Sequence, residues 1–163
     1  MRKQEQKQKE KGFSLIELLI VVAIILIIAA IAIPNLLRAK MAANEASAVG
    51  SLRTINTSAV EYSTTYSIGY PKNLTNLGPT ATATSTSADL IDSVLSSGTK
   101  SGYTFTYTGG TADASGSVDT YTLTATPVVV GTTGQRMFFT DQSGVIRADP
   151  SGSGATVNST PIG

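Results

Sequence analysis

The chain contains neither cysteine nor histidine. Without thiols there is no disulfide framework and no thiolate nucleophile, and thiol usage says nothing about the redox compartment. Without imidazole or thiolate, most zinc sites, Cys-His and Ser-His-Asp catalysis and the usual proton shuttle near neutral pH are excluded. Basic clusters are also missing over most of the length. Beyond residue 40, Lys and Arg are scattered singly, so there is no continuous cationic surface to release counterions from a nucleic acid. No nucleic-acid partner, no metal and no cofactor are therefore expected. No nucleophile-base pair can be assembled either, which ranks an enzyme behind structural and binding roles.

What is present divides into unlike parts. The 163 residues suffice for one domain and an appendage. Residues 1–12 carry five basic side chains (Arg2, Lys3, Lys7, Lys9, Lys11) against Glu5 and Glu10, while the whole chain has a net charge of +1, so the remainder is net acidic. This polar stretch runs directly into Phe13–Ile33, 21 residues whose only charge is Glu17. At ~1.5 Å per residue, a helix of that length covers roughly 30 Å, the thickness of a hydrocarbon core. The basic flank predicts a cytoplasmic N-terminus, with the bulk of the chain across the membrane.

From Pro34 the pattern becomes amphipathic. Ala48, Leu52, Ile55, Ala59, Tyr62 and Tyr66 recur at spacings of 4, 3, 4, 3 and 4, one apolar stripe on a helix, and Arg38, Lys40, Glu45, Arg53 and Glu61 fall off it. That stripe reads as ordinary core packed on a sheet, not as a path for electrons. The helix is expected to continue across Pro34 with a kink, because proline removes one donor and crowds the preceding turn. It should stop at "SIGYPKN", where Gly69 and Pro71 end the register. Leu74–Ser87, rich in Thr, Ser and Ala, reads as a surface loop. "ADLIDSVLSSG" reads as a short helix with Leu90, Ile91, Val94 and Leu95 inward and Gly98 as its C-terminal cap. Strand chemistry follows in Tyr103–Thr108, Thr120–Val130 and Arg136–Asp149, the last with a hairpin turn at "DQSG" and the first two joined through Asp113–Ser117. The tail from Ser151 onward has little to bury and is expected to be mobile.

The implied fold class is α+β: a long N-terminal helix, transmembrane in its first half and amphipathic in its second, packed on a small antiparallel sheet. The expected segments are 1–12, 13–33, 34–68, a head at 69–150 and a tail at 151–163. An apolar half-helix needs a partner, either the membrane or copies of itself. Within it, Phe13 and Glu17 lie one turn apart at i and i+4. A cut between Gly12 and Phe13 would create an amine within reach of a carboxylate, in a setting of low dielectric that strengthens their attraction.

The stretch "KGFSLIELLIVVAIILIIAAIAIPNLL" strongly resembles the class III signal of type IV pilins and of the pseudopilins of type II secretion. The resemblance covers this stretch; the rest of the chain is similar to the family only in plan. It implies that Gly12 ends a leader removed by a prepilin peptidase, that Phe13 opens the mature subunit and is N-methylated, and that Glu17 meets the Phe13 amine of a neighbouring subunit. Pro34 would mark where the helix loosens during transfer from bilayer to filament. The implied partners are further copies of the chain in a helical filament, the membrane, the peptidase, an inner-membrane platform and an assembly ATPase. The implied location is the inner membrane before assembly, then a surface pilus or a periplasmic pseudopilus. Many pilins of this type close their C-terminal region with a disulfide; this chain has no cysteine, which tilts slightly toward a major pseudopilin.

Other readings stand beside these. An ordinary signal or single-span anchor, with "AIA" at Ala30–Ala32 as a cleavage site, leaves Glu17 without a purpose. A tethered or released binding domain without any filament is the competitor from another class. Asp113, Asp119, Asp141 and Asp149 could suggest calcium, but no EF-hand spacing is present and turn acids are preferred. Glycan sequons occur at Asn56, Asn73 and Asn158.

Overall fold

The computed structural model describes residues 12–162; the leader expectation for residues 1–11 lies outside them. The described chain divides into two compact units, one ending at Leu37 and one beginning at Arg38. Helix α1, Leu15–Tyr66, contributes to both. In the first unit, every side chain is exposed except Ala29, which is half-buried. Pro34 lies inside α1 without interrupting it. Its missing N–H leaves the carbonyl of Ala30 without its i+4 donor. The Asn35 side-chain amide donates to the carbonyl of Ile31 at 3.0 Å.

In the second unit, the expected stripe is the inner face of α1: Ala48, Leu52, Ile55, Ala59 and Tyr62 are buried and Tyr66 is half-buried. The helix stops where Ser67 and Gly69 take left-handed backbone angles (φ 52° and 77°). Gly69 is required there, because a Cβ would run into the backbone of Val118, to which it is bridged.

Six strands form one antiparallel meander in chain order: β1 Thr99–Lys100, β2 Tyr103–Gly109, β3 Tyr121–Pro127, β4 Met137–Asp141, β5 Arg147–Asp149 and β6 Thr160–Pro161. The period-2 alternation sorts aromatic and aliphatic side chains inward. Tyr103, Phe105 and Tyr107 of β2, Tyr121, Leu123 and Ala125 of β3, and Phe138 of β4 join the α1 stripe in one core. Each such large side chain contributes on the order of 2 kcal/mol by leaving water. Threonines take the outer face, in cross-strand pairs Thr104–Thr126, Thr106–Thr124 and Thr108–Thr122.

Several local expectations are corrected. Leu74–Leu77 is a 3-10 turn with Leu74 and Leu77 buried, closed by reciprocal Asn73 and Asn76 hydrogen bonds, where a surface loop was expected. The helix expected across Ala88–Gly98 shrinks to α2, Ser93–Ser96. Asp89 is left-handed (φ 55°) and Asp92 is extended, its side chain capping the N–H of Leu95, so neither continues a helix upstream. Ile91 and Leu95 are buried as expected, but Val94 faces solvent. Strand β3 ends at Pro127, which has no N–H for the ladder, and Val128–Val130 leave the sheet. Strands β1 and β6 were not anticipated. The tail is not loose throughout: β6 pairs with β5, and the Ile162 N–H donates to the carbonyl of Ile146 at 2.9 Å.

Candidate functional site

The apolar segment carries its one charge at the start of α1. Gly12, Phe13 and Ser14 precede the helix, and all three are exposed, Phe13 by 90%. Glu17 turns back on the helix start, where its Oε2 accepts the Ser14 N–H at 2.8 Å. The Ser14 hydroxyl accepts the Ile16 N–H at 3.4 Å, and the Ser14 carbonyl takes the Leu18 N–H at 3.2 Å. This is one half of the Ser-x-x-Glu capping box, the carboxylate returning to the N–H of the cap residue while the serine hydroxyl reaches the N–H of Ile16. Both satisfy donors otherwise orphaned at a helix N-terminus, and the carboxylate also opposes the positive end of the helix dipole. The sequence reading missed this role, although "SLIE" spells it out. Among the described residues, Glu17 has no cationic partner. An ion pair made by this carboxylate therefore has to come from outside the described chain. Gly12 and Phe13 meet at an exposed peptide bond before the first helical turn, the kind of backbone a peptidase can take up.

A second carboxylate does different work. Glu45 was expected off the apolar stripe, but it lies three residues before Ala48 on the same face and is 7% exposed. Its Oε1 accepts the N–H groups of Gln135 (2.9 Å) and Arg136 (3.0 Å), and its Oε2 accepts Arg136 Nε at 2.7 Å. Burial pushes Glu45 upward, but the two backbone donors and the guanidinium outweigh it and hold the carboxyl below the ordinary glutamate range. Arg136 also lies over the Phe138 ring, 5.3 Å from its centre, and its carbonyl accepts the Tyr103 hydroxyl at 2.8 Å. Glu45 thus ties α1 to the segment that enters β4. The signal available in sequence was its i−3 spacing from Ala48.

Three acids of the second unit serve turns. Asp113, Asp141 and Asp149 accept N–H groups two to five residues ahead of themselves. The Ser151 hydroxyl, with the N–H groups of Gly154, Ser151 and Ser153, holds Asp149 down at about 2. Among the described residues, no three His, Cys, Asp or Glu side chains are grouped so as to hold a metal. Of the three sequon asparagines, Asn56 is committed to the fold. Its amide donates to the buried Thr140 hydroxyl at 3.0 Å and its oxygen accepts Tyr121 OH at 3.1 Å.

Helix α1 is long and apolar enough to cross a membrane, with an exposed carboxylate at its start. Residues 7–33 match the family described as the prokaryotic N-terminal methylation motif. The N-terminal segment of this chain is thus similar to that of type IV pilins. Over 35 residues the chain is 69% identical to the type IV wide pilus major component PilA4 of Thermus thermophilus. That similarity covers 22% of this chain and 27% of the relative, so this chain matches about a quarter of the relative's length. No solved structure matches the chain. The similarity to known proteins is confined to the methylation motif and the apolar part of α1. The Arg38–Ile162 unit is accounted for by its own packing, an α1 stripe on an antiparallel meander in the pilin-like α+β plan.

Proposed function

We propose that this chain is a structural filament subunit, cut between Gly12 and Phe13, methylated on the Phe13 amine, and polymerised through its Phe13–Ile33 helix. The observation that carries the reading is an apolar helical surface, exposed except at Ala29, interrupted by one carboxylate at its first turn. Within a bilayer, lipid covers that surface. Outside one, only other apolar helices can, and the chain supplies one per copy.

Glu17 gives such a bundle a register. A carboxylate near the end of an apolar span costs less than the roughly 2 to 3 kcal/mol of a mid-span charge. An amine from the next subunit offsets that cost at one axial position and no other. Head-to-tail contacts of this kind produce a filament when their rotation does not close into a ring. Pro34, with one backbone bond fewer in α1, is where the helix bends or loosens on leaving the membrane. A prepilin peptidase, an inner-membrane platform and an assembly ATPase are the partners this route needs, and the mature subunit would pass from the inner membrane to an extracytoplasmic filament.

The test is the N-terminal sequence and intact mass of the protein taken from its native envelope. A start at Phe13 carrying one added methyl group is expected. A start within Ala30–Ile33 would make it a released domain, and an uncut Met1 a simple anchor; either result overturns the reading.

A further inference from the structure

Where β2 and β3 begin their connection, the outer face of the sheet holds a groove of about 380 Å³. The half-buried ring of Phe139 lines it on one side and Val157 of the tail on another, with Gly109 and Gly110 along its rim. Thr108 and Thr122, directly paired across β2 and β3, present hydroxyls there. Asp141 and Gln142 complete the wall. Asp141 gives one carboxylate oxygen to the Ser143 N–H at 2.9 Å, leaving the other without a hydrogen bond among the described residues. Gln142 accepts the Tyr121 N–H at 3.4 Å with its oxygen, which leaves its amide nitrogen free to donate.

The groove is one end of a longer track. From it, Thr106–Thr124 and Thr104–Thr126 continue the hydroxyl-bearing rows, with Phe139 beside Thr124 on β4. Thr104 to Thr108 spans about 14 Å of strand, room for a short run of pyranose rings. No Lys or Arg lines the groove itself, whose one charge is a carboxylate, and Arg147, opposite Phe139 on β5, donates to the carbonyl of Ser159 at 3.1 Å; the groove therefore disfavours phosphates and other anions. A protein interface would want a continuous apolar centre, whereas these rows are threonine. A half-buried aromatic ring bordered by a carboxylate, an amide and hydroxyls suits a ligand with C–H groups on one face and hydroxyls around its edge.

We propose that the outer face of β2–β4, from the Thr104–Thr126 pair to the groove beside Phe139, binds a neutral glycan chain. The ring of Phe139 stacks on a sugar face. Asp141 and the Gln142 amide anchor its hydroxyls, and the threonine rows guide the adjoining units. The site lies wholly within the Arg38–Ile162 unit and does not depend on filament formation.

The experiment is amide NMR of the full chain in a non-glycosidic detergent, titrated separately with maltohexaose, cellohexaose and chitohexaose. At least one is expected to give saturable shifts at Thr108, Thr122, Phe139 and Gln142. Phe139→Ala should weaken that binding about tenfold, the loss of one aromatic contact. The double variant Thr108→Val, Thr122→Val keeps shape and strand propensity, and should weaken it several-fold. Val94→Ser, on the exposed side of α2, should not. Should Phe139→Ala fail to fold, the double variant decides. No saturable shift with any of the three sugars, unchanged binding by the folded variants, or shifts of the same amides that appear on raising protein concentration without sugar, which would mark a contact between copies, each overturn the proposal.

Discussion

Replacing Glu45 by alanine removes the acceptor for three donors at once, and the geometry says what each is worth. The N–H groups of Gln135 and Arg136 lose their shared oxygen. A buried donor left unpaired costs about 1 to 3 kcal/mol, and water reaches this partly buried pair well enough to favour the lower half of that range. Arg136 loses less, because its side chain is 42% exposed and keeps its place over Phe138. The total is about 3 kcal/mol, or roughly 10 °C in the midpoint of a head of this size. Glu45→Gln keeps a neutral acceptor for the backbone pair and loses only the charge, so about 1 kcal/mol is expected. Because all six tyrosines lie beyond residue 60, near-ultraviolet circular dichroism of the full chain in detergent micelles reports melting of the head alone. The pH dependence has a fixed sign. A carboxyl held below its unfolded value stabilises in full above the ordinary glutamate range near 4.3, and that contribution is lost as pH falls through the lowered folded value. The midpoint of the wild-type chain should therefore drop below about pH 4 more steeply than that of Glu45→Gln. An alanine variant that melts within about 2 °C of wild type, or the same acid dependence in both chains, would refute the latch.

Two further outcomes follow from single atoms. The Tyr107 hydroxyl is buried beneath Tyr62, Tyr70 and Tyr121 and has no hydrogen-bond partner among the described residues; burial holds its ionisation well above the ordinary tyrosine value. Tyr107→Phe should raise stability by about 1 kcal/mol in the same melting assay, and a lowered midpoint would mean that the hydroxyl is bonded after all. For Glu17, glutamine can still cap Ser14 but carries no charge, while alanine does neither. If the carboxylate acts by pairing with an amine of another subunit, both variants insert into membranes normally and both fail to form filaments in a shear-and-pellet assay. Filaments from Glu17→Gln would reduce its role to capping.

The helical and strand periods were legible because each is enforced over many residues. The stripe from Ala48 to Tyr62 and the alternation of Tyr103–Thr108 have one geometric solution each, and the structure adopts both. The errors fall where a single residue outweighs its neighbours. Asp92 takes a cap and Asp89 a left-handed angle, so a good apolar pattern over Ala88–Gly98 yields one turn of helix. Thr160 and Pro161 look like tail composition, but they find the free edge of β5, a long-range pairing that no local window contains. Glu45 is the instructive miss. As a charged residue it was read as outward-facing, though its spacing from Ala48 placed it inward. Its partners, Gln135 and Arg136, are ninety residues away in sequence, so nothing local could say that its burial was satisfied.

The two carboxylates of α1 illustrate one physical rule with opposite outcomes. Each must be satisfied where it sits, and what differs is how much of that satisfaction the chain itself provides. Glu45 is complete: two backbone donors and a guanidinium converge on it from the same unit, so it stabilises one fold and has nothing left to offer a partner. Glu17 is partial. One N–H bond at 2.8 Å occupies one oxygen, the charge has no counter-ion among the described residues, and the apolar side chains around it would strip water from it once lipid or helices pack there. The cap keeps the first turn wound and the carboxylate aimed at the helix start. In the proposed mature subunit the new amine would appear at that end, so the same hydrogen bond that satisfies the precursor would pre-position the charge for the proposed assembly. A group wholly unsatisfied in the monomer would resist insertion, and one wholly satisfied would have no reason to select a neighbour. Glu17 sits between those limits, as the proposed role of an assembly signal in an apolar helix requires.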